Sequence, residues 1–311
     1  MKKISIRGPL FLLLAALFWG TTFVAQDLAS DSVGAFTFNG MRMILGGTVL
    51  LPVILVRGKG KLFRSVPTAK QKKKLLFSGM ICGTILFCAA NFQQFGIQMG
   101  TSAGKSGFIT AMYVIIVPLL GIFMGKRVRK EIWACVICAA VGMYFLCMAS
   151  FETTFGEMLR SLAMTKGDLL TLVCALCFAF HIIAVDHFAP GIDGVFLSCV
   201  QFLFAGILGV FAMFLFEQPT WSDILAAGGG ILYSAVFSCG IAYTLQILGQ
   251  KETPPVIASI LMCLEAVFAL FSDMIILKTG MTTEEVCGTV FLFIAILVSN
   301  LSEFFPEKKK R

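Results

Sequence analysis

Charge is what this chain has least of. Asp, Glu, Lys and Arg make up 14% of its 311 residues, against about a quarter in soluble domains. With a hydrophobic fraction of 58% and a mean hydropathy of +0.91, that shortage excludes an ordinary soluble fold. Histidine is scarcer still. His181 and His187 are the only two, too few for the His boxes of a membrane di-iron enzyme. No G-x-x-x-x-G-K-[S/T] loop occurs, so direct use of ATP within this chain is not expected. No stretch between apolar runs is long enough for a soluble catalytic domain. No small-x-small cleavage site follows Leu10–Val24, so that run reads as a membrane helix rather than a signal peptide. The runs are too long and too unalternated for barrel strands. Cysteine is plentiful at 11, and Cys135/Cys138 and Cys174/Cys177 form two C-x-x-C pairs. Both pairs sit in apolar runs without the polar setting that a thiolate or zinc site needs, so they read as small packing residues. No metal or cofactor is expected.

The chain does contain about ten apolar runs of the roughly 20 residues a membrane helix requires: 9–28, 34–56, 75–98, 101–124, 131–150, 167–188, 193–216, 222–248, 253–277 and 281–304. In lipid the backbone must satisfy its own hydrogen bonds, which favours helices. If the N-terminus starts inside, 20 of the 25 Lys and Arg residues fall on the inner side. Arg57–Lys74, Lys126–Lys130 and Lys308–Arg311 hold most of them. The positive-inside rule then places both ends in the cytoplasm. The net charge of +8 is explained by basic loops facing anionic headgroups, without nucleic acid.

A repeat runs through the chain. At an offset of 159, LFWGTTFVAQD (Leu17–Asp27) lies over LCFAFHIIAVD (Leu176–Asp186), and Gly47 meets Gly206. At an offset of 152, Gln94, Gln98 and Thr101 meet Gln246, Gln250 and Thr253. Each half would hold five helices, an odd number, so the halves would have opposite orientation. The expected fold is therefore all-α integral membrane, with ten transmembrane helices as two inverted five-helix repeats. The first covers 1–150, an outer linker 151–166, and the second, with its basic tail, 167–311. Such architectures place the solute site near the midplane between the halves.

The stretches ALFWGTTFVAQ (Ala16–Gln26), FTFNGMRMILGG (Phe36–Gly47), TSAGKSGFITAMYVIIVPLLG (Thr101–Gly121), the Gly167-Asp168 pair and SILMCLEAVFAL (Ser259–Leu270) resemble EamA-like members of the drug/metabolite transporter superfamily. The resemblance spans nearly the whole chain, in order. It implies ten helices, two inverted repeats and a central solute cavity. Two positions depart from the family pattern. Glu265 is followed by Ala266 where the family often has Pro, and Leu277-Lys278-Thr279-Gly280 replaces an acidic motif.

Charges inside a bilayer are costly, at about 2.5–3.5 kcal/mol for Arg, Lys or Asp at a helix centre, so they tend to face a bundle interior or water. Arg42 lies roughly 12 Å into the second run at the helical rise. It could offer a guanidinium to a carboxylate or phosphate, or serve a structural pair. Lys105 sits among Gly104, Ser106 and Gly107, where small neighbours leave room for an ammonium to meet an anionic group or to snorkel. Glu265 is the deepest carboxylate, a candidate proton carrier or partner for a substrate amine, unless it simply pairs with Arg42. Asp273 and His181 are further proton-coupling candidates. Asn91, Gln94 and Gln98 share one helical face and could bind solute. Trp19 and Tyr113 are candidate cavity aromatics. Pro118 is expected to kink its helix, and Gly100/Gly104 and Gly121/Gly125 to let helices approach.

The expected function is a secondary transporter, not an enzyme. It would move a small polar metabolite, such as an amino acid or related amphoteric or anionic solute, by alternating access, with proton coupling through Glu265. The alternatives are a lipid-modifying membrane enzyme and a non-transporting scaffold. Expected partners are a small-molecule solute and the lipid bilayer, with no nucleic acid, for a monomer or homodimer in a bacterial cell (inner) membrane.

Overall fold

A computed structural model describes residues 6–30, 32–101, 103–126, 128–148, 164–277 and 280–304. Every regular element among them is a helix. In chain order these are α1 (Arg7–Ser30), α2 (Ala35–Arg57), α3 (Ala69–Gln98), α4 (Ala103–Ala111), α5 (Tyr113–Phe123), α6 (Lys130–Cys147), α7 (Lys166–Phe188) and α8 (Gly194–Phe216). Then come α9 (Trp221–Ala226), α10 (Gly228–Tyr233), the π-helical α11 (Ser234–Ala242), α12 (Tyr243–Gln250), α13 (Pro255–Met262), α14 (Leu264–Leu277) and α15 (Thr283–Phe304). Among the described residues, eight helical stretches are long and apolar enough to cross a membrane: 35–57, 69–98, 105–123, 130–147, 166–188, 194–216, 228–250 and 255–272. Large side chains such as Val56, Phe123, Phe214, Leu225 and Ile275 stand mostly exposed. In water that surface would aggregate, whereas against lipid chains it carries no penalty.

Local chemistry sets the helix ends. Thr68 and Gln71 form a capping box that starts α3, and Thr165 and Asp168 form another that starts α7. α3 stops where Gly100 adopts φ 92°, with the Thr101 N–H reaching back to the Gly96 carbonyl at 3.1 Å. Gly125, at φ 77°, ends α5 in the same way. These glycines terminate helices. They do not join them, because an added Cβ at Gly100 or Gly125 would meet nothing within 4 Å, and one at Gly121 only Lys126 at 4.0 Å.

The close helix approaches lie elsewhere. α2 packs on α8, α6 on α15, α3 on α7 and α1 on α10–α12. At each of these contacts glycine removes the side chain that would separate the backbones. A Cβ on Gly142 of α6 would fall 2.9 Å from the Gly288 carbonyl of α15, one on Gly96 of α3 2.9 Å from that of Gly167 in α7, and one on Gly249 of α12 2.8 Å from that of Gly8 in α1. Gly40 and Gly209 abut in the same manner between α2 and α8.

Besides 222–248, which divides into α9–α12, two apolar rods that read as single helices are interrupted. α5 runs through Pro118. The interruption falls at Met112, where Met112 N–H bonds the Ile109 carbonyl and the Met112 carbonyl accepts from Ile115, both in the tighter i→i+3 pattern. The second break, at Cys263 between α13 and α14, has the same character, with Ala266 N–H on the Cys263 carbonyl at 3.3 Å. Breaks of this kind free backbone groups at membrane depth, which is tolerated where they border a cavity.

One end of the bundle gathers the basic side chains. There Lys126 pairs with Asp186 at 3.1 Å, Arg57 with Asp193 at 3.5 Å, and Lys74 and Lys251 donate to the carbonyls of Pro190 and Ile192. The far end is tied differently. The Glu217 carboxylate at the end of α8 accepts from the backbone N–H groups of Phe36 and Thr37 and from the Thr37 hydroxyl, capping α2.

Candidate solute-binding cavity

The helix breaks and the π-helical segment converge on one cavity. Its wall takes Trp19, Thr22 and Gln26 from α1, Arg42 from α2, Gln93 from α3, and Thr110 and Tyr113 from the two sides of the Met112 break. Phe178 and Ile182 come from α7, and Ser238, Tyr243 and Gln246 from the π-helical turn and α12. Met262 and Glu265 flank the Cys263 break. The free volume is about 70 Å³, room for a handful of waters.

Arg42 is held rather than merely present. Its Nε–H donates to Asn39 Oδ1 at 2.9 Å, one helical turn earlier on the same face. Asn39 Nδ2 in turn donates to Asn91 Oδ1 and to the Ala90 carbonyl of α3, each at 3.2 Å, and Asn91 Nδ2 donates to the Phe87 carbonyl at 2.8 Å. The guanidinium carbon lies 4.9 Å from the centre of the Phe38 ring, a cation–π contact. Two backbone carbonyls thus fix the direction of the amide chain, and the chain fixes the guanidinium.

Glu265 faces the same cavity from α14. Among the described residues no ion pair joins it to Arg42 or to any other cation, so the structural Arg42–Glu265 pair considered from sequence is not formed. The remaining wall is polar in an incomplete way. Gln26 donates to Gln94 Oε1 at 2.9 Å and Gln93 to Thr110 Oγ1 at 3.1 Å. Trp19 Nε1, Gln246 Oε1 and Gln94 Nε2 are buried without a protein partner. Such groups are costly when dry and call for water or solute. Trp19 and Tyr243 meet edge to face at 4.8 Å and form an aromatic corner beside these groups.

The sequence-derived candidates therefore divide. Arg42, Glu265, Trp19 and Tyr113 line the cavity together. Gln94 stands one layer behind it, through Gln26, and Asn91 two, through Asn39 and Arg42. Lys105 is elsewhere. Its Nζ lies 2.7 Å from Asp168 Oδ2, in a pair whose carboxylate also accepts from Thr101 Oγ1 at 3.0 Å and from the Thr165 N–H at 2.8 Å. The ammonium that looked available for solute is thus engaged with the first turn of α7. Gln98 ends α3 and is exposed, because the helix stops there. His181 is fully buried outside the cavity wall, its Nε2 3.2 Å from Gln201 Oε1. The Asp273 side chain lies outside the described residues. Sequence reasoning missed Gln26, Tyr243 and Gln246. Only Gln246 carried a signal, through its alignment with Gln94 in the repeat.

The chain is similar to an uncharacterized transporter of Archaeoglobus fulgidus, 29% identical over 95% of this chain and 86% of that one. It is also similar to the uncharacterized transporter YwfM of Bacillus subtilis, at 23% identity over 97% and 95% of the two chains. A solved crystal structure shares the fold with a TM-score of 0.75 at 18% identity, covering 97% of this chain and 99% of that one. The profile of one family matches the sequence twice, over residues 6–148 and again over 165–301. This multi-pass membrane protein belongs to the EamA-like transporter family.

Proposed function

We propose that this protein is a secondary transporter that moves a small amphoteric metabolite, such as an amino acid or a close relative, by alternating access. One observation carries the reading: a guanidinium and a carboxylate, from opposite halves of the chain, face one cavity without pairing with each other. A solute bearing both charges would complete each of them. The unpartnered Trp19 and Gln246 atoms add a donor and an acceptor for the same guest.

The inverted repeat is part of this reading, and the glycine contacts support it. The 159-residue offset carries Gly8 onto Gly167, and the 152-residue offset carries Thr101 onto Thr253. Gly167 packs against Thr101 Oγ1 and the Gly96 carbonyl, while Gly8 packs against Thr253 Oγ1 and the Gly249 carbonyl. Likewise Gly47 meets Leu203, and at the offset of 159 their images Gly206 and Ile44 meet, with the roles exchanged between the halves. The double family match falls on the same two halves. With α1 and α15 as the two further spans, the halves hold five spans each and the basic end faces the cytoplasm; most of the expected outer linker, 151–166, lies outside the described residues. Glu265 is the proton-carrying group.

The test is counterflow in proteoliposomes loaded in turn with each of the twenty amino acids and with short mono- and dicarboxylates. Trans-stimulated exchange of one solute class, lost in Glu265→Ala together with Arg42→Ala at matched incorporation, supports the reading. Exchange that persists in the double variant removes these residues from the site. Turnover of a lipid, with no exchange of any solute, moves the protein to the membrane enzymes.

A further inference from the structure

We infer that Arg42 is the grip for a solute carboxylate, and that Asn39 and Asn91 are positioning residues that aim it. The inference rests on the transport reading and assigns one half of the solute to one side chain. Asn39 Oδ1 occupies the Nε–H of Arg42, and the Phe38 ring lies against the guanidinium. Among the described residues no acceptor takes the two terminal nitrogens, while the side chain lines the cavity. What remains for a guest is the end of the fork, two parallel N–H donors in one plane, which a carboxylate matches with two bonds.

Charge selects among anions. Among the described residues Arg42 is the only basic one that lines the cavity, and Glu265 shares the wall. A phosphate dianion would leave the cavity with surplus negative charge, whereas a carboxylate balances Arg42 and leaves Glu265 for an ammonium. The positioning chain is built for constancy. Asn39 is fully buried and Asn91 nearly so, and the chain ends on the carbonyls of Phe87 and Ala90. Because α3 carries those carbonyls, the aim of Arg42 on α2 is set from the neighbouring helix. A loss of aim should weaken discrimination before it weakens folding.

The experiment compares the best counterflow solute with its own amide, which keeps the shape and loses the carboxylate; inorganic phosphate is run beside them. The intact protein is expected to prefer the acid over the amide at least tenfold in half-saturating concentration. Arg42→Gln should abolish that ratio. Arg42→Lys, which keeps the charge without the fork, should cut it severalfold. Asn39→Ala and Asn91→Ala should each cut it at least threefold. If Asn39→Ala does not fold, Asn91→Ala, at the far end of the chain, carries the same test. A merely structural role would lower acid and amide alike and leave the ratio standing, which overturns the positioning assignment. Exchange of phosphate or of an uncharged solute, with none of any carboxylate, overturns the carboxylate assignment and leaves the transporter standing. No exchange of anything by folded protein takes both down.

Discussion

The first turn of α7 and the central cavity each hold a cation, half-buried in the first and buried in the second, and they treat it in opposite ways. At α7, Lys105 meets Asp168 at 2.7 Å, and two threonines fill the rest of the carboxylate. In the cavity, Arg42 has an amide on one nitrogen and a ring beside it, and among the described residues no carboxylate reaches it. A charge that is already matched holds helices together. A charge fixed in place and left unmatched is what a binding site requires, because its partner must come and go. The contrast gives each cation a different expected phenotype.

The largest effect should come from the matched pair. Lys105→Ala leaves the Asp168 carboxylate, with a side chain only 1% exposed, beside an empty position. Breaking a buried pair from one side costs on the order of 3–5 kcal/mol. The variant should lose thermal stability in detergent and reach the membrane poorly, while the molecules that do fold keep their exchange activity. Full stability with lost exchange would place Lys105 in the solute path after all.

Arg42→Gln should do the reverse. The amide chain behind it can remain intact and a buried charge is removed, so melting should move little. Exchange should fall by at least tenfold, equivalent to about 1.4 kcal/mol of binding. Melting that drops as far as in Lys105→Ala would make Arg42 a structural residue, and the contrast would vanish.

Glu265 sharpens the comparison from the acidic side. Glu265→Gln keeps the shape and removes both the charge and the proton it could carry. In the intact protein an imposed pH gradient should change net uptake severalfold, and in the variant it should change nothing, with solute exchange weakened but still present. Identical uptake by the intact protein with and without the gradient would remove proton coupling.

Much of this contrast was hidden from the sequence for definable reasons. A charged residue inside an apolar run announces itself, so Arg42 and Glu265 were legible, as were the helical class and the basic end. Partnership does not announce itself. Lys105 and Asp168 lie 63 positions apart, and only the packing of α4 on α7 brings them together. Gln98 shares a helical face with Asn91 and Gln94, but the turn at Gly100 ends α3 and leaves it outside. Tyr243 and Gln246 follow a π-helical stretch, whose wider turn rephases every later residue and defeats a count in steps of 3.6. The breaks at Met112 and Cys263 carry neither glycine nor proline, so no local residue marks them. The nearby Pro118 drew attention instead, and it lies inside α5.

The smallest effect belongs to a second lysine–aspartate pair on the same two rods. Lys126, just past α5, lies 3.1 Å from Asp186 near the end of α7, with side chains 53% and 27% exposed. Its geometry is close to that of Lys105 and Asp168, and its surroundings are not: water and salt reach it. Exposed pairs contribute about 0.2–1 kcal/mol and are screened by salt. Lys126→Gln should therefore shift melting far less than Lys105→Ala, and the shift should disappear in high salt, while that of Lys105→Ala should persist. The pair also stands beside a crevice at the basic end, lined by Val117, Ile183 and Ile257. Loosening it should raise the labelling of a cysteine placed at Val117 by a membrane-impermeant thiol reagent applied to the basic face. Equal salt sensitivity in the two lysine variants would mean that burial does not distinguish the two pairs, and the reading of Lys105 as an internal tie would fall with it.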